Sequence, residues 1–505
     1  MHATRRFVHG RFLSVHPLDY CVIGLYLVGV VWLGAWVGRG QQDLTGYLLG
    51  NRSLPWWALL GSIVATETST ATFLSIPGLA YQSGGDLRFL QLAMGFALGR
   101  CLVVVFLLPA YFRGQMFTAY EVLNRRFGGA TQRMASLLFL VARNLGDGLR
   151  LFLAALVLHN MLNLALPWCI VMVSVVTILY TLLGGMRSVV WNDCIQLVIY
   201  LAGGILALIV MVQRLPGGWE QVLQFAVDQG KLRMFDTRWD WTESHTLWAG
   251  LIGGAFLSLG THGTDQMMVQ RYLSARCFGD AVRALLASGL VVIAQFALFL
   301  GVGIALACYF AQFPPEQQIQ RVDEALAVFI IRDMPVGVAG LTLAAVFAAA
   351  MSTLSSSLNS SAAALLHDFG AWWRLDQISP QRRVAWCRGL TVGFGLLQIG
   401  IAIGAARYSA SVVNDALAIA GFTNGILLGL FALGIFTRRV GQGAALIGLV
   451  VGTIAVSIAK FATPLAWPWY TVVGALTTFG AAWLVAVWLG VVQRRSSDRP
   501  GRPEF

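Results

Sequence analysis

The sequence has few charged residues and no cysteine arrangement of the kind that stabilises small secreted domains. Only 11% of its 505 residues are Asp, Glu, Lys or Arg, whereas a soluble globular chain carries about 25%. This scarcity of charge excludes a water-soluble globular protein. The seven cysteines are scattered and form no close pairs typical of a zinc site or a disulfide framework, so we interpret them as small core residues.

Apolar residues are abundant instead and make up 57% of the chain. A helix needs roughly 20 mostly apolar residues to cross a bilayer, and the apolar stretches between Arg, Pro, Gly and Asn predict an all-α integral membrane protein with about thirteen transmembrane helices. The predicted spans are 18–37, 55–80, 88–112, 131–159, 164–182, 188–212, 246–270, 279–311, 335–363, 386–405, 411–436, 441–460 and 467–492. They form one domain, 18–492, between an extramembrane segment at 1–17 and a basic tail at 493–505.

The net charge of +12 does not indicate a nucleic-acid binder, because the basic residues lie in short segments between apolar runs, where they act as topology signals. Lys and Arg are retained in cytoplasmic segments, and most of them fall on the side of the C-terminus. We therefore expect a multi-pass protein of the plasma (inner) membrane with a cytoplasmic C-terminus and an external N-terminus. Arg5, Arg6 and Arg11 oppose this orientation without reversing it.

Two of the predicted spans are interrupted by polar residues. The second span carries five hydroxyls and Glu67 between Thr66 and Thr72, and the seventh carries Gly260, Gly263 and Asp265. Polar groups at mid-depth need partners inside the protein, and Ser and Thr compete for backbone hydrogen bonds. A packing seam is the simpler interpretation, but paired broken helices five spans apart indicate the central site of a transporter built from two repeats.

The ninth span is rich in hydroxyls, and Ser352, Ser355, Ser356 and Asn359 share one helical face. Such a face permits close helix packing, but hydroxyls together with carbonyls of an unwound helix also suit a hard monovalent cation such as Na⁺. Asp193, near the start of the sixth span, could stabilise the helix N-terminus or complete a second cation site with hydroxyls of the ninth span.

The fourth span places Arg143, Asp147 and Arg150 within an apolar helix. A buried arginine can bind a solute carboxylate in bidentate fashion, and the alternative is an ion pair of Asp147 with either arginine. Gln91, Thr423 and Asn424 are further candidates for the pocket, each with ordinary packing or capping as the alternative.

At five motifs in the same order the chain resembles the sodium:solute symporter family, whose members include sodium-coupled proline, galactose, sialic acid, iodide and vitamin carriers. The motifs are GYLLGNRSLPWW at 46–57, TAYEVLNRRF at 118–127, GGMRSVVWND at 184–193, QMMVQR at 266–271 and MSTLS at 351–355. The resemblance covers 18–492. It implies a LeuT-type core of two inverted five-helix repeats, at 55–212 and 246–436, with the spans 18–37, 441–460 and 467–492 at the periphery.

The resemblance also implies which residues bind ions and solute. The family's principal sodium site, made of backbone carbonyls and two hydroxyls, corresponds to Ala65, Thr68, Ala349, Ser352 and Thr353. Some members hold a second sodium at positions that correspond to Asp193, Ser355 and Ser356, so we expect one or two ions. The solute site is expected among Glu67, Ser69, Gln91, Asp147, Arg150, Ser258, Thr261, His262, Thr423 and Asn424. Glu67 stands where proline carriers have an aspartate.

Ser258, Thr261 and His262 replace the aromatic and amide groups that sugar carriers use, which disfavours a sugar. The expected function is sodium-coupled secondary active import of a small polar organic solute, with a carboxylate as a guess, by alternating access. Proton coupling through Glu67, His262 and Asp265 is one alternative, and a channel or a solute sensor is another. We find no motif of an enzyme and expect no obligatory protein partner.

Overall fold

The computed structural model of the chain describes residues 16–39, 43–114, 116–162, 164–315, 319, 321–373, 377–408 and 412–497. Within these ranges the structure is helical nearly throughout, and one isolated bridge joins Leu54 to Ala275. Most of the segment predicted at 1–17 lies outside the described residues. The tail predicted at 493–505 begins as helix, because the last helix continues to Ser497.

Nineteen α-helices are assigned in the described ranges, with π-helical turns at Val103–Leu107 and Ala249–Gly253. They are α1 Pro17–Val37, α2 Leu44–Leu49, α3 Trp56–Glu67, α4 Thr70–Tyr81, α5 Phe89–Leu102, α6 Leu108–Tyr111, α7 Glu121–Phe127, α8 Gly129–Leu162, α9 Leu166–Arg214, α10 Gly218–Asp228, α11 Gly254–Thr264, α12 Gln266–Leu273, α13 Phe278–Gln312, α14 Ala325–Asp333, α15 Val338–Phe369, α16 Pro380–Tyr408, α17 Val412–Phe436, α18 Gln442–Ala462 and α19 Pro468–Ser497.

Among the described residues, eight helical segments are individually long and apolar enough to cross a bilayer, and a bent pair makes a ninth. Four of the thirteen predicted spans are not counted separately. The span at 411–436 is counted only as a shorter apolar helix, Gly421–Phe436, and the other three differ for physical reasons. One long helix, α9, contains two predicted spans; α8 carries Arg143, Asp147 and Arg150; and the span at 246–270 is divided between a π-helical turn, α11 and α12. The helical fold is confirmed, but the number of spans stays a prediction.

The chain folds back within α9. A straight helix of its 49 residues would be about 74 Å long, well beyond the thickness of a bilayer. Gly185 has φ 51° and ψ −147°, a left-handed backbone that favours glycine. The Ser188 hydroxyl donates to the Tyr180 carbonyl at 3.0 Å, although residues eight apart on a straight helix are about 12 Å apart. The two halves of α9 therefore run in different directions, and the bend at Gly185 lies between the two spans predicted there.

Both predicted helix interruptions are confirmed. Helix α3 ends at Glu67, Thr68 is extended with φ −85° and ψ 106°, and the axes on either side of the break differ by 61°. The second break lies at Asp265, which is extended between α11 and α12. Its carboxylate accepts from the Met267 N–H at 2.8 Å, and so caps the N-terminus of α12.

The hydroxyl-rich helix α15 lies at the centre of the bundle. Within its most apolar window 89% of the residues are buried, against 17% in α1 and 22% in α19. Helices α1, α8, α9 and α16 pack against α15. A helix enclosed in this way can keep a polar face without exposing it to lipid.

The connection between α10 and the π-helical turn at Ala249–Gly253 is fastened to α4 and α5. The Lys231 ammonium donates to the carbonyls of Ala80 at 2.7 Å, Gln82 at 3.0 Å and Gly85 at 3.3 Å, where α4 ends. Asp236 is 2% exposed and forms ion pairs with Arg238 at 2.7 Å and with Arg88 at 3.2 Å. The Arg238 guanidinium holds the pKa of Asp236 well below its usual value.

Replacing Asp236 by Asn is expected to loosen this connection. The Arg238 partner is exposed, so we expect a loss of only about 1 kcal/mol, and trypsin cleavage after Arg233 and Arg238 about fivefold faster. Because the pKa of Asp236 is depressed, its contribution is present above its unfolded value of about 3.9 and is lost as pH falls through the folded value.

Asp240→Asn is the matched control, since the described hydrogen bonds of Asp240 are with Thr242 and Glu243 of the same loop. Equal cleavage of the Asp236→Asn variant and this control would show that Asp236 does not fasten the loop.

Candidate functional site

Oxygen atoms from the break after α3 and from α15 lie together in the core. The Ser352 hydroxyl donates to the Ala65 carbonyl at 2.8 Å and lies 3.3 Å from the Ala349 carbonyl. One residue further on, the Thr353 hydroxyl donates to the Thr66 carbonyl at 3.1 Å. We call Ala65, Thr66, Ala349, Ser352 and Thr353 the oxygen cluster. All of these residues are at most 4% exposed.

The break in the helix makes this cluster possible. Carbonyls in the last turn of a helix have no intrahelical N–H partner, and α3 ends two residues after Ala65. Hydroxyls of α15 supply the missing donors. Neutral carbonyl and hydroxyl oxygens are also the ligands that a hard monovalent cation prefers. The chemistry of these residues therefore fits sodium.

Thr68 is part of the break, but its hydroxyl lies in a different set of contacts. It donates to the Val64 carbonyl at 2.9 Å and accepts from Gln295 Nε2 at 2.6 Å and from the Tyr200 hydroxyl at 3.1 Å. Only the Thr68 backbone remains for the predicted sodium site. Tyr200 and Gln295, which fix the extended segment from α9 and α13, were not predicted from the sequence.

The residues predicted for a second sodium site lie around a guanidinium. Arg271 forms an ion pair with Asp193 at 3.0 Å and also contacts the Ser356 hydroxyl. The Ser355 hydroxyl donates elsewhere, to the Ser352 carbonyl at 3.1 Å. The Arg271 side chain is 1% exposed, so it lies inside the protein, and it was not among the residues predicted for this site.

A second buried charge group joins Glu67 to Arg100 and His262. Arg100 donates to the Glu67 carboxylate, and His262 Nε2 lies 3.7 Å from that carboxylate. The other ring nitrogen of His262 is 3.0 Å from the Tyr272 hydroxyl. Arg100 is fully buried in α5 and was not singled out, although an arginine inside an apolar span is itself a signal. Glu67 and His262 are thus engaged with protein groups.

Arg143, Asp147 and Arg150 of α8 form one connected group, and both pairings considered for Asp147 are present. Arg143 binds the Asp147 carboxylate through two nitrogens, at 2.6 and 3.0 Å, and also lies 3.0 Å from Asp265 Oδ2. Arg150 contacts Asp147 through Nη1 at 2.6 Å. Three of the guanidinium nitrogens of Arg143 therefore have carboxylate partners, whereas one of Arg150 does in the described contacts.

Two small cavities adjoin this group, and Arg150 borders both. The first is lined by Phe139, Ala142, Arg143, Gly146, Arg150, Asp265, Thr423, Asn424 and Leu427. The second is lined by Ser69, Thr70, Arg150, Leu151, Leu153, Ala349, Ala350, Thr353 and Leu354. Because Ala349 and Thr353 belong to the oxygen cluster, the second cavity lies between that cluster and Arg150.

The remaining predicted solute contacts divide into two sets. Thr423 and Asn424 line the first cavity, and Asn424 Nδ2 donates to the Thr261 hydroxyl at 2.8 Å. Ser258 lines neither cavity, and its hydroxyl donates to the Phe96 carbonyl at 2.8 Å. Gln91 also lies elsewhere and holds the connection before α11.

The side-chain amide of Gln91 forms three hydrogen bonds there. Its Oε1 accepts from the Asp236 N–H at 3.0 Å, and its Nε2 donates to the His245 carbonyl at 3.0 Å and to the Arg88 carbonyl at 3.2 Å. These bonds use both donors of the amide and one acceptor. Gln91 therefore serves to attach the loop in this structure.

Known proteins are similar to this chain over most of its length. The family model described as the sodium:solute symporter family matches residues 47–452. The sodium/sialic acid symporter SiaT of Proteus mirabilis is 30% identical over 95% of this chain and 97% of its own length. The sodium/sialic acid symporter NanT of Aliivibrio fischeri is 32% identical over 94% of both chains. The solved structure of a Na⁺-coupled sialic acid symporter, substrate-bound and outward-open, superposes with a TM-score of 0.84 at 30% identity, covering 94% of this chain and 98% of that chain.

Proposed function

The chain belongs to the sodium:solute symporter family and is a sodium-coupled symporter of a small organic solute, not an enzyme, and from this premise we propose that its solute is a carboxylic acid bound by Arg150. The single observation that carries the proposal is that Arg150 borders both cavities and has only one nitrogen engaged with Asp147 in the described contacts. The remaining donors of a guanidinium match the two oxygens of a carboxylate.

The charges around the cavities support an acidic solute. Arg143 and Arg150 are balanced by Asp147 and Asp265, so the group has no net charge before the solute binds. A carboxylate adds one negative charge and sodium adds one positive charge. Binding both together keeps the region neutral, and an unbalanced charge would be costly at its low dielectric constant. The sialic acid that two relatives transport by name is the first solute to test.

Sodium is proposed to bind at the oxygen cluster and the adjoining backbone. The proposed ligands are the carbonyls of Ala65, Thr68 and Ala349 and the hydroxyls of Ser352 and Thr353. Since Ala349 and Thr353 also line the second cavity, bound sodium would lie close to a solute carboxylate. This proximity gives a direct electrostatic reason for coupling, because each ligand binds more tightly when the other is present.

The two helix breaks provide the moving parts of the proposed cycle. Extended segments at Thr68 and Asp265 allow the halves of each broken helix to change angle while the central site stays between them. The proposed direction is import across the plasma (inner) membrane, with the N-terminus external and the C-terminus cytoplasmic. The distribution of Lys and Arg supports this orientation.

Uptake into proteoliposomes tests the proposal. We expect an inward sodium gradient to drive accumulation of radiolabelled sialic acid, and replacement of external Na⁺ by choline at constant pH to abolish it. Accumulation that persists in choline and follows a proton gradient would contradict sodium coupling at this site. Competition by the free acid but not by its methyl ester, which keeps the ring and removes the charge, would support a carboxylate-specific site. Equal competition by both would contradict it.

A further inference from the structure

Gln398 of α16 connects two of the helices that line the second cavity. Its Nε2 donates to Asn144 Oδ1 of α8 at 3.0 Å and to the Ser357 hydroxyl of α15 at 3.0 Å. These two bonds use both hydrogens of the amide nitrogen. All three side chains are at most 2% exposed, and a buried polar atom that loses its partner is costly. Helix α16 itself contributes no residue to the lining of either described cavity.

The two partners of Gln398 stand next to residues of the proposed site. Asn144 lies about one helical turn before Asp147 on α8. Ser357 lies about one turn after Thr353 on α15, and Thr353 lines the second cavity. Ser357 also forms a hydrogen bond with the Asp147 carboxylate. Gln398 therefore ties α8 to α15 at the level of the charged group and of the cavity.

The backbones of α8 and α16 are in close contact beside this group. A Cβ atom added at Gly148, which follows Asp147, would lie 2.5 Å from Ile401 Cγ2 and 3.3 Å from the Gln398 carbonyl oxygen. The first distance is well inside the separation at which carbon atoms attract each other, so no larger side chain fits there unless the helices move apart. Helix α16 is thus close enough to fix the position of α8.

We propose that Gln398 is a positioning residue, which fixes the separation between Arg150 on α8 and the oxygen cluster beside α15 and so sets the coupling between solute and sodium. The inference rests on the proposed function, because it takes Arg150 as the carboxylate ligand and the oxygen cluster as the sodium site. The attraction between a carboxylate and an ion falls as their separation grows, and burial prevents water from screening it. A change in this separation therefore changes how strongly each ligand favours the other.

Binding of ²²Na⁺ to the purified protein measures the coupling, as the ratio of the sodium dissociation constants without and with saturating sialic acid. We expect a ratio between about 5 and 150 for the wild type. Gln398→Met keeps the approximate size of the side chain and removes both donors, and we expect the ratio to fall about fivefold, toward 1. Titration calorimetry of sialic acid with and without Na⁺ gives the reciprocal ratio, which must agree.

Thr391→Val is the matched control on the same helix. Thr391 is fully buried, but its hydroxyl donates to the Cys387 carbonyl within α16 at 3.0 Å and bonds Tyr47 of α2. Neither partner belongs to α8 or α15. This variant should keep the wild-type ratio.

A second variant removes one partner of Gln398 and leaves α16 unchanged. Ser357→Ala is expected to lower the ratio in the same direction, and it decides the question should Gln398→Met fail to fold. In the double variant the two effects should not add, because both substitutions remove the same hydrogen bond.

An unchanged ratio in these variants would overturn the inference. A parallel loss of both affinities at a constant ratio would overturn it as well, because that result indicates a role in packing alone. A wild type whose sodium affinity does not respond to sialic acid would instead contradict the proposed function, and the inference with it.

Discussion

Ser352→Ala is expected to raise the sodium concentration for half-maximal uptake by about 10- to 100-fold. The Ser352 hydroxyl is within hydrogen-bonding distance of carbonyls on both sides of the oxygen cluster, Ala65 at 2.8 Å and Ala349 at 3.3 Å. A bond from a hydroxyl to a charged partner contributes about 1.5–3 kcal/mol, and that energy is lost when the side chain ends at Cβ. Initial rates of solute uptake over a range of Na⁺ concentrations measure the change.

The control for this variant comes from the same helix. Ser360 is buried like Ser352, but its hydroxyl donates to the Ser357 carbonyl at 3.1 Å, within α15 and away from the break. Ser360→Ala should leave the sodium dependence unchanged within about twofold. If Ser352→Ala behaves like Ser360→Ala, the ion does not bind at the oxygen cluster. If both variants lose uptake together, the effect is on packing of α15.

Local sequence features were sufficient to predict the breaks in the helices. The hydroxyls around Thr68 and the glycines before Asp265 destabilise a helix at their own positions. Thr68 and Asp265 are both extended in the structure. Ala65 and Ser352, which are 287 positions apart, were brought together by the family resemblance, and the structure shows their contact at 2.8 Å. Neither residue type alone specifies such a long-range pairing.

The contacts of long polar side chains were not predictable in this way. Arg271 stands at the end of a predicted span, where an arginine usually faces the cytoplasm, yet its partners Ser62 and Asp193 lie 209 and 78 positions away. Gln91 was chosen as a polar group in an apolar span, and its amide instead holds Asp236 and His245 of the distant loop. Residue type and spacing identify a polar group that needs partners, but three-dimensional packing decides which partners it has.

The stoichiometry sets how far the solute can be concentrated. One Na⁺ crossing about 100 mV contributes about 2.3 kcal/mol, and a tenfold gradient adds about 1.4 kcal/mol. The sum of about 3.7 kcal/mol supports accumulation of about 10²- to 10³-fold for a neutral solute. For a monovalent acid, entry against an inside-negative potential cancels the electrical part, so the chemical gradient alone limits accumulation to about tenfold.

Arg150→Gln is expected to weaken solute binding by about 100-fold or more while sodium binding at the oxygen cluster is retained. The substitution removes the positive charge that borders both cavities and leaves the Asp147 carboxylate paired with Arg143. Arg150→Lys keeps a charge but loses the planar fork, so an intermediate loss of about tenfold is expected. Titration calorimetry with sialic acid in saturating Na⁺ measures the solute affinity, and ²²Na⁺ binding measures the ion separately.

Arg133→Gln provides a matched loss of one arginine from α8. Arg133 lies near the start of that helix, where its guanidinium is 5.3 Å from the centre of the Trp372 ring, and it borders neither of the two described cavities. This variant should bind solute like the wild type. Wild-type affinity in Arg150→Gln would exclude Arg150 as the carboxylate ligand, and an equal loss of sodium and solute binding would indicate damage to the core. A loss of solute binding alone that Arg150→Lys partly restores would show that the site requires both the charge and the planar geometry of the guanidinium. A purely structural ion pair with Asp147 would not produce this pattern.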